Sequence, residues 1–165
     1  MIDTGAQLQP RLNLLLTDGG WRSESWSDQL PRLLEPVGIR SIKVRSGREA
    51  EELIRSTPVH IAVIDLRIPL DGSAASGDAA RASGPRVLQL LRRLNPAPPT
   101  IVVRDAQPSE REGARTLAAA LREGAYAVLD HPVRLETMLE VLRRVTRRFY
   151  ADLWGSSRPG GNAMA

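Results

Sequence analysis

Three acidic residues stand where short apolar runs stop, and the chemistry open to this chain begins with them. Asp65 closes His60-Ile61-Ala62-Val63-Ile64, Asp18 follows Leu12–Thr17, and Asp130 leads into His131-Pro132 after Tyr126–Leu129. A fourth run, Thr100-Ile101-Val102-Val103, ends at Arg104-Asp105. Runs that are apolar throughout, rather than alternating, read as strands covered on both faces, as in a parallel sheet wrapped by helices. The carboxyl edge of such a sheet is where ligands and reactions sit, so the polar groups at these strand ends should converge. A carboxylate placed there can act as a covalent nucleophile or hold a hard cation through oxygen. Each residue also has a plainer reading: Asp65 and Asp18 as turn-forming acids behind a strand, and His131 as a turn histidine beside a proline.

Five strand and helix pairs would bring these ends together. Behind the turn Thr17-Asp18-Gly19-Gly20, the residues Trp26, Leu30, Leu33, Leu34 and Val37 recur at helical spacing, with Gly38 as a stop. Pro31 falls in the first turn if that helix begins near Asp28, or kinks it if the helix is longer. Ile39–Val44 reads as the second strand, and Ser46 with Glu49 has capping-box spacing for a helix through Ala50, Leu53 and Ile54. The third strand carries Asp65, and residues 72–84, rich in Ala, Ser, Gly and Asp, read as an extended surface loop.

Pro85 opens a helix with Val87, Leu88, Leu90, Leu91 and Leu94 inward. Ser109 and Glu112 cap another that runs through Leu117 and Leu121 to Gly124, and the last carries Leu135, Met138, Leu139, Leu142, Val145 and Phe149 on one stripe. The predicted fold is a three-layer α/β/α, flavodoxin-like (βα)5 domain with a five-stranded parallel sheet over residues 11–150. A disordered leader (1–10) and tail (151–165) are expected to flank it.

A chain of 165 residues buries one core without staples. The absence of cysteine excludes disulfides, thiolate chemistry and cysteine-based zinc sites. The start, MIDTGAQLQPR, lacks a basic segment followed by an apolar stretch, and no run approaches the roughly 20 apolar residues of a membrane helix, so a soluble cytoplasmic protein is expected.

The net charge is +4 and the sequence pI about 10.5. That charge is spread from Arg11 to Arg158 with few aromatics between, which argues against nucleic acid as a partner. Arg143, Arg144, Arg147 and Arg148 form i, i+4 pairs that read as a solvated or partner-facing helix side. His60, with no second histidine or cysteine at metal spacing, reads as a satisfied strand histidine.

The segment DLRIPLDG, Asp65 to Gly72, resembles the signature around the phosphoacceptor aspartate of response-regulator receiver domains of the CheY-like kind. VRSGREAEEL is similar to the second strand and helix of that family, and GAYAVLDHPV resembles its GAxxYLxKPF segment. The resemblance runs from Leu12 to Phe149. It implies a non-enzymatic switch in which Asp65 accepts a phosphoryl group from a histidine kinase or phosphotransfer protein. Mg2+ would be held by Asp18, Asp65 and the backbone carbonyl of Arg67, with Pro69 and Gly72 shaping the loop. It further implies a cis peptide before Pro132, a downstream protein partner, and a homodimer or output contact through the last helix.

Three positions depart from the pattern. One acid, Asp18, stands before Gly19 where the family has two, which lowers the ligand charge available to a divalent ion. Arg104 or Asp105 replaces a Ser or Thr that contacts the phosphoryl group, and His131 replaces a lysine; an imidazole, unlike an ammonium, is largely neutral near pH 7. Arg104 is the candidate substitute cation. Two functions follow: an atypical single-domain receiver in a phosphorelay, with output by protein contact, or a phosphorylation-independent pseudo-receiver serving as an interaction module.

Overall fold

The computed structural model describes residues 11–17, 25–71 and 83–151. Among them, five strands alternate with five helices: β1 Leu12–Thr17, α1 Ser25–Leu34, β2 Ile39–Val44, α2 Gly47–Ser56, β3 Ile61–Asp65, α3 Gly84–Arg92, β4 Thr100–Arg104, α4 Glu110–Arg122, β5 Ala125–Asp130 and α5 Leu135–Tyr150. The strands form one parallel sheet in the order β2-β1-β3-β4-β5. This is the expected three-layer, flavodoxin-like arrangement. The leader, Asp18 to Gly20, most of the 72–84 loop and the tail beyond Ala151 lie outside the described residues.

Period-2 alternation along each strand divides the apolar residues between two layers. Leu12, Leu14, Leu16, Ile61, Val63, Ile101 and Val103 pack with Trp26, Leu30, Met138, Leu142 and Val145 of α1 and α5. Leu15, Ala62, Ile64 and Val102 face the other way, onto α2, α3 and α4. Both faces of β3 are therefore covered, and all five of its residues are buried, Asp65 included.

Local chemistry accounts for the helix starts. Ser46 Oγ accepts the Glu49 N–H at 3.1 Å, while Glu49 Oε2 reaches one residue further back than a capping box requires and accepts from Arg45 N at 2.9 Å. Ser109 Oγ accepts the Glu112 N–H at 3.2 Å. Helix α1 begins at Ser25, three residues before Asp28, so Pro31 lies in its interior, and the chain tightens into a 3-10 turn over Glu35–Val37. Gly38 then adopts φ 84°, a left-handed conformation that glycine reaches without steric cost.

Three residues assigned to buried stripes turn outward. Leu33 is 46 % exposed and Val37 47 %, because Leu33, on α1, and Val37, in the 3-10 turn behind it, line the side toward α5 instead of facing the sheet. Phe149 is also exposed and stands edge-on to Tyr126. His60 is satisfied, as expected: its Nδ1 accepts the Asn13 N–H at 2.9 Å, and its carbonyl accepts the Tyr150 hydroxyl.

Candidate functional site at the carboxyl edge

Strand β1 separates β2 from β3, so the sheet order reverses between β1 and β3, and the crevice outside their carboxyl ends is where this topology places a site. Thr17, the last residue of β1, fixes this point. Its hydroxyl donates to the Val63 carbonyl at 3.1 Å and accepts the Asp65 N–H at 2.6 Å, tying the end of β1 to the end of β3. On the other side the Leu66 N–H donates to the Val103 carbonyl at 2.9 Å. Asp65 is thereby held between two strands at 7 % exposure.

Both oxygens of the Asp65 carboxylate face nitrogen. Oδ1 accepts the Arg67 backbone N–H at 2.9 Å, and Arg67 Nε lies 3.6 Å from the same oxygen. Oδ2 is 3.0 Å from His131 Nε2. An ionised carboxylate only accepts, so the imidazole donates from Nε2. The Arg67 guanidinium extends past Asp65 to Asp105, with Nη1 2.8 Å from Oδ1. His131 is positioned by its own N–H, which donates to the Arg104 carbonyl at 2.8 Å, and the peptide joining it to Pro132 is cis.

The structure thus brings Asp65, Arg67, Asp105 and His131 together and sends Arg104 elsewhere. Arg104 Nε donates to Asp130 Oδ1 at 2.7 Å, and Nη1 donates to the Gly113 carbonyl of α4 at 3.1 Å. Strand periodicity is the reason. Val103 shares a layer with Val63 on the α1 and α5 side, so its neighbour Arg104 points to the α4 side, while Asp65 has the parity of Val63. The guanidinium beside Asp65 is that of Arg67, not the Arg104 side chain expected there. Asp130, noted as a strand-end acid, serves Arg104 across the β4–β5 register.

The receiver pattern implies a magnesium ion at this edge. A hard divalent cation needs several oxygen ligands. Among the described residues no three His, Asp or Glu side chains gather to hold a metal. Asp105 is paired with Arg67, and the Asp65 oxygens face a guanidinium, a backbone N–H and an imidazole. Asp18 lies outside the described residues. The described groups do not bring together the several oxygens of a metal centre; the Asp65 carboxylate is met instead by hydrogen-bond donors of its own chain.

No family model matches the chain. It is 27 % identical over 119 residues to a response regulator receiver protein of Anaeromyxobacter sp. (strain Fw109-5), covering 72 % of this chain and 43 % of that protein, so the chain spans less than half the length of this curated relative. Solved receiver domains share the fold. That of a Francisella response regulator superposes with TM-score 0.62 at 22 % identity, covering 84 % of this chain and 98 % of the other. A CheY-like receiver domain protein of Methanospirillum hungatei JF-1 gives 0.61 at 18 % identity, covering 86 % and 98 %. The BeF3-activated DrrB receiver domain gives 0.60 at 16 % identity, covering 84 % and 99 %. The chain has the receiver-domain fold and resembles response-regulator receivers in sequence. No helix among the described residues is long and apolar enough to cross a membrane.

Proposed function

We propose that the protein is a cytoplasmic receiver-type signalling module that acts by contact with a partner protein, independently of phosphoryl transfer. The observation that carries this reading is the Asp65 carboxylate, buried and held on both oxygens by Arg67 and His131 of its own chain. A nucleophilic oxygen needs a free lone pair aimed at the incoming phosphorus and positive charge on the phosphoryl oxygens. Here the imidazole and the Arg67 backbone N–H are directed at the acid itself, and the nearest guanidinium passes 3.6 Å from it to pair with Asp105. Gly19 in place of a second acid, and Arg104 in place of a hydroxyl and turned toward Asp130, remove two further aids.

A second reading has its own support. Asp65 occupies the acceptor position of the receiver pattern, at the end of β3 beside the switch point. On this reading it receives a phosphoryl group from a histidine kinase or phosphotransfer protein, with Mg2+ bound through Asp18, Asp65 and the Arg67 carbonyl. One experiment separates the two: incubation with acetyl phosphate and magnesium, followed by intact mass, for wild type and Asp65→Asn. The first reading expects no adduct, and no magnesium-dependent change in tryptophan fluorescence. A phosphate-sized gain present in wild type and lost in Asp65→Asn establishes the second.

A further inference from the structure

At the edge where the strands begin, opposite Asp65, α1 and α5 leave a groove of about 550 Å3 that reaches Ile39, the first residue of β2. Leu139 and Leu142 line its α5 side, Leu33 and Val37 its α1 side, and Arg143 and Arg147 stand at its rim. Leu33 and Val37 are nearly half exposed. Two large aliphatic side chains held four residues apart in water, facing a helix with two more, form a wider apolar hollow than scattered surface leucines provide.

The charge at the rim says what fits. Arg144 is occupied by Glu140 at 2.7 Å, one turn away, whereas Arg143 and Arg147 are exposed and paired with no acid among the described residues. A smaller hollow that shares Ile39 adds Arg11 and Arg40, with Glu35 as its acid. The groove is therefore apolar at its base and mainly cationic at its margins. One wall is α5, whose lining residues recur at i, i+4, Leu139 with Arg143 and Arg143 with Arg147; the other is the end of α1 and the 3-10 turn behind it, which present Leu33 and Val37. Ridges with that spacing complement a third helix.

We propose that this groove receives an amphipathic helix of a partner protein, with large apolar side chains at i, i+4 in the hollow and carboxylates along the flank facing Arg143 and Arg147. Guanidinium groups match carboxylates in planar, two-point fashion, so acidic residues at the flank give both affinity and orientation. A lipid surface would meet the same arginines but could not fill a concave hollow with side chains. The inference rests on the protein-contact reading above and identifies the contact. It lies at the opposite sheet edge from Asp65, so variants of the two places report separately.

A phage-displayed library of helix-forming peptides, each with an i, i+4 Leu pair and randomised flanks, tests it directly. The expected result is enrichment of Asp and Glu on one flank. Binding of the selected peptides should weaken by at least about tenfold in Val37→Asp, the scale of an interface hot spot. It should fall similarly in Arg143→Glu/Arg147→Glu and remain unchanged in Asp65→Asn. Because the substituted side chains are solvent-exposed, circular dichroism should be that of wild type. Enrichment of basic or neutral flanks overturns the proposal, as do binders indifferent to Val37→Asp. Self-association, or binding to phosphatidylserine vesicles, that is lost in the same variants without peptide selection would assign the groove to a second copy or to a membrane, and overturns it equally. If Asp65→Asn abolishes peptide binding while the groove variants do not, the contact lies at the carboxyl edge, and the protein-contact reading survives without this groove.

Discussion

The guanidinium of Arg67 lies 3.6 Å from one oxygen of Asp65 and pairs with Asp105 at 2.8 Å, a position from which it opposes any cation approaching the acid. Arg67→Gln removes that charge and releases Asp105. We expect it to raise the affinity for Mn2+ or Mg2+ by about tenfold or more, since affinity for a hard ion follows the net charge of its ligands. Electron paramagnetic resonance of Mn2+ measures this, and equal affinities in variant and wild type would remove Arg67 from the argument. Thr17 acts through the backbone. Thr17→Val leaves the buried Asp65 N–H without its acceptor and should cost about 1–3 kcal/mol in urea denaturation. Asp65 and His131 were legible because strand ends are where hydrophobic runs stop. The direction of Arg67 was not, since it depends on the path of the loop beyond β3. Arg104 could have been excluded from the site by counting alternate residues along β4.

At the scale of elements, the loop after β3 is pinned by contacts that leave no room for a side chain. A Cβ on Gly84, at the start of α3, would fall 2.5 Å from Leu66 Cα, and one on Gly47, at the start of α2, 2.6 Å from Ser83 Cβ. Ser83 in turn donates its hydroxyl to the Ile68 and Pro69 carbonyls, 3.2 Å from each. Gly84→Ala forces backbone against backbone and should destabilise the protein by more than the cap substitution Ser46→Ala, which should cost about 1 kcal/mol. Thermal melts of the two variants give the order; Gly84→Ala melting with wild type would show that α3 can shift freely. The capping serines and the five strands could be read directly, because each rests on neighbours a few residues apart. The close approach of Gly84 to Leu66 could not, because it joins residues on either side of a long loop.

Across the whole molecule, the far end of α5 is fastened to the entry of β3, where the Tyr150 hydroxyl donates to the His60 carbonyl and the two rings meet edge to face. Burial pushes the Tyr150 phenol above its ordinary value of 10.0, so the folded state holds this proton more tightly than the unfolded chain. The corresponding stability is full below about pH 10 and declines as pH rises through the higher folded value. Alkaline denaturation of wild type should therefore be steeper than that of Tyr150→Phe, and identical slopes would deny the linkage. Such a fastening was not legible in the sequence, where Tyr150 is one more aromatic at a helix end. At the opposite edge, His131, Asp65, Arg67 and Asp105 form a row that joins the loops after β5, β3 and β4. Three loops stitched together in this way should open as one: amide hydrogen exchange across them should be slow in unison, and Asp105→Ala should quicken it even beside His131, on the far side of the row.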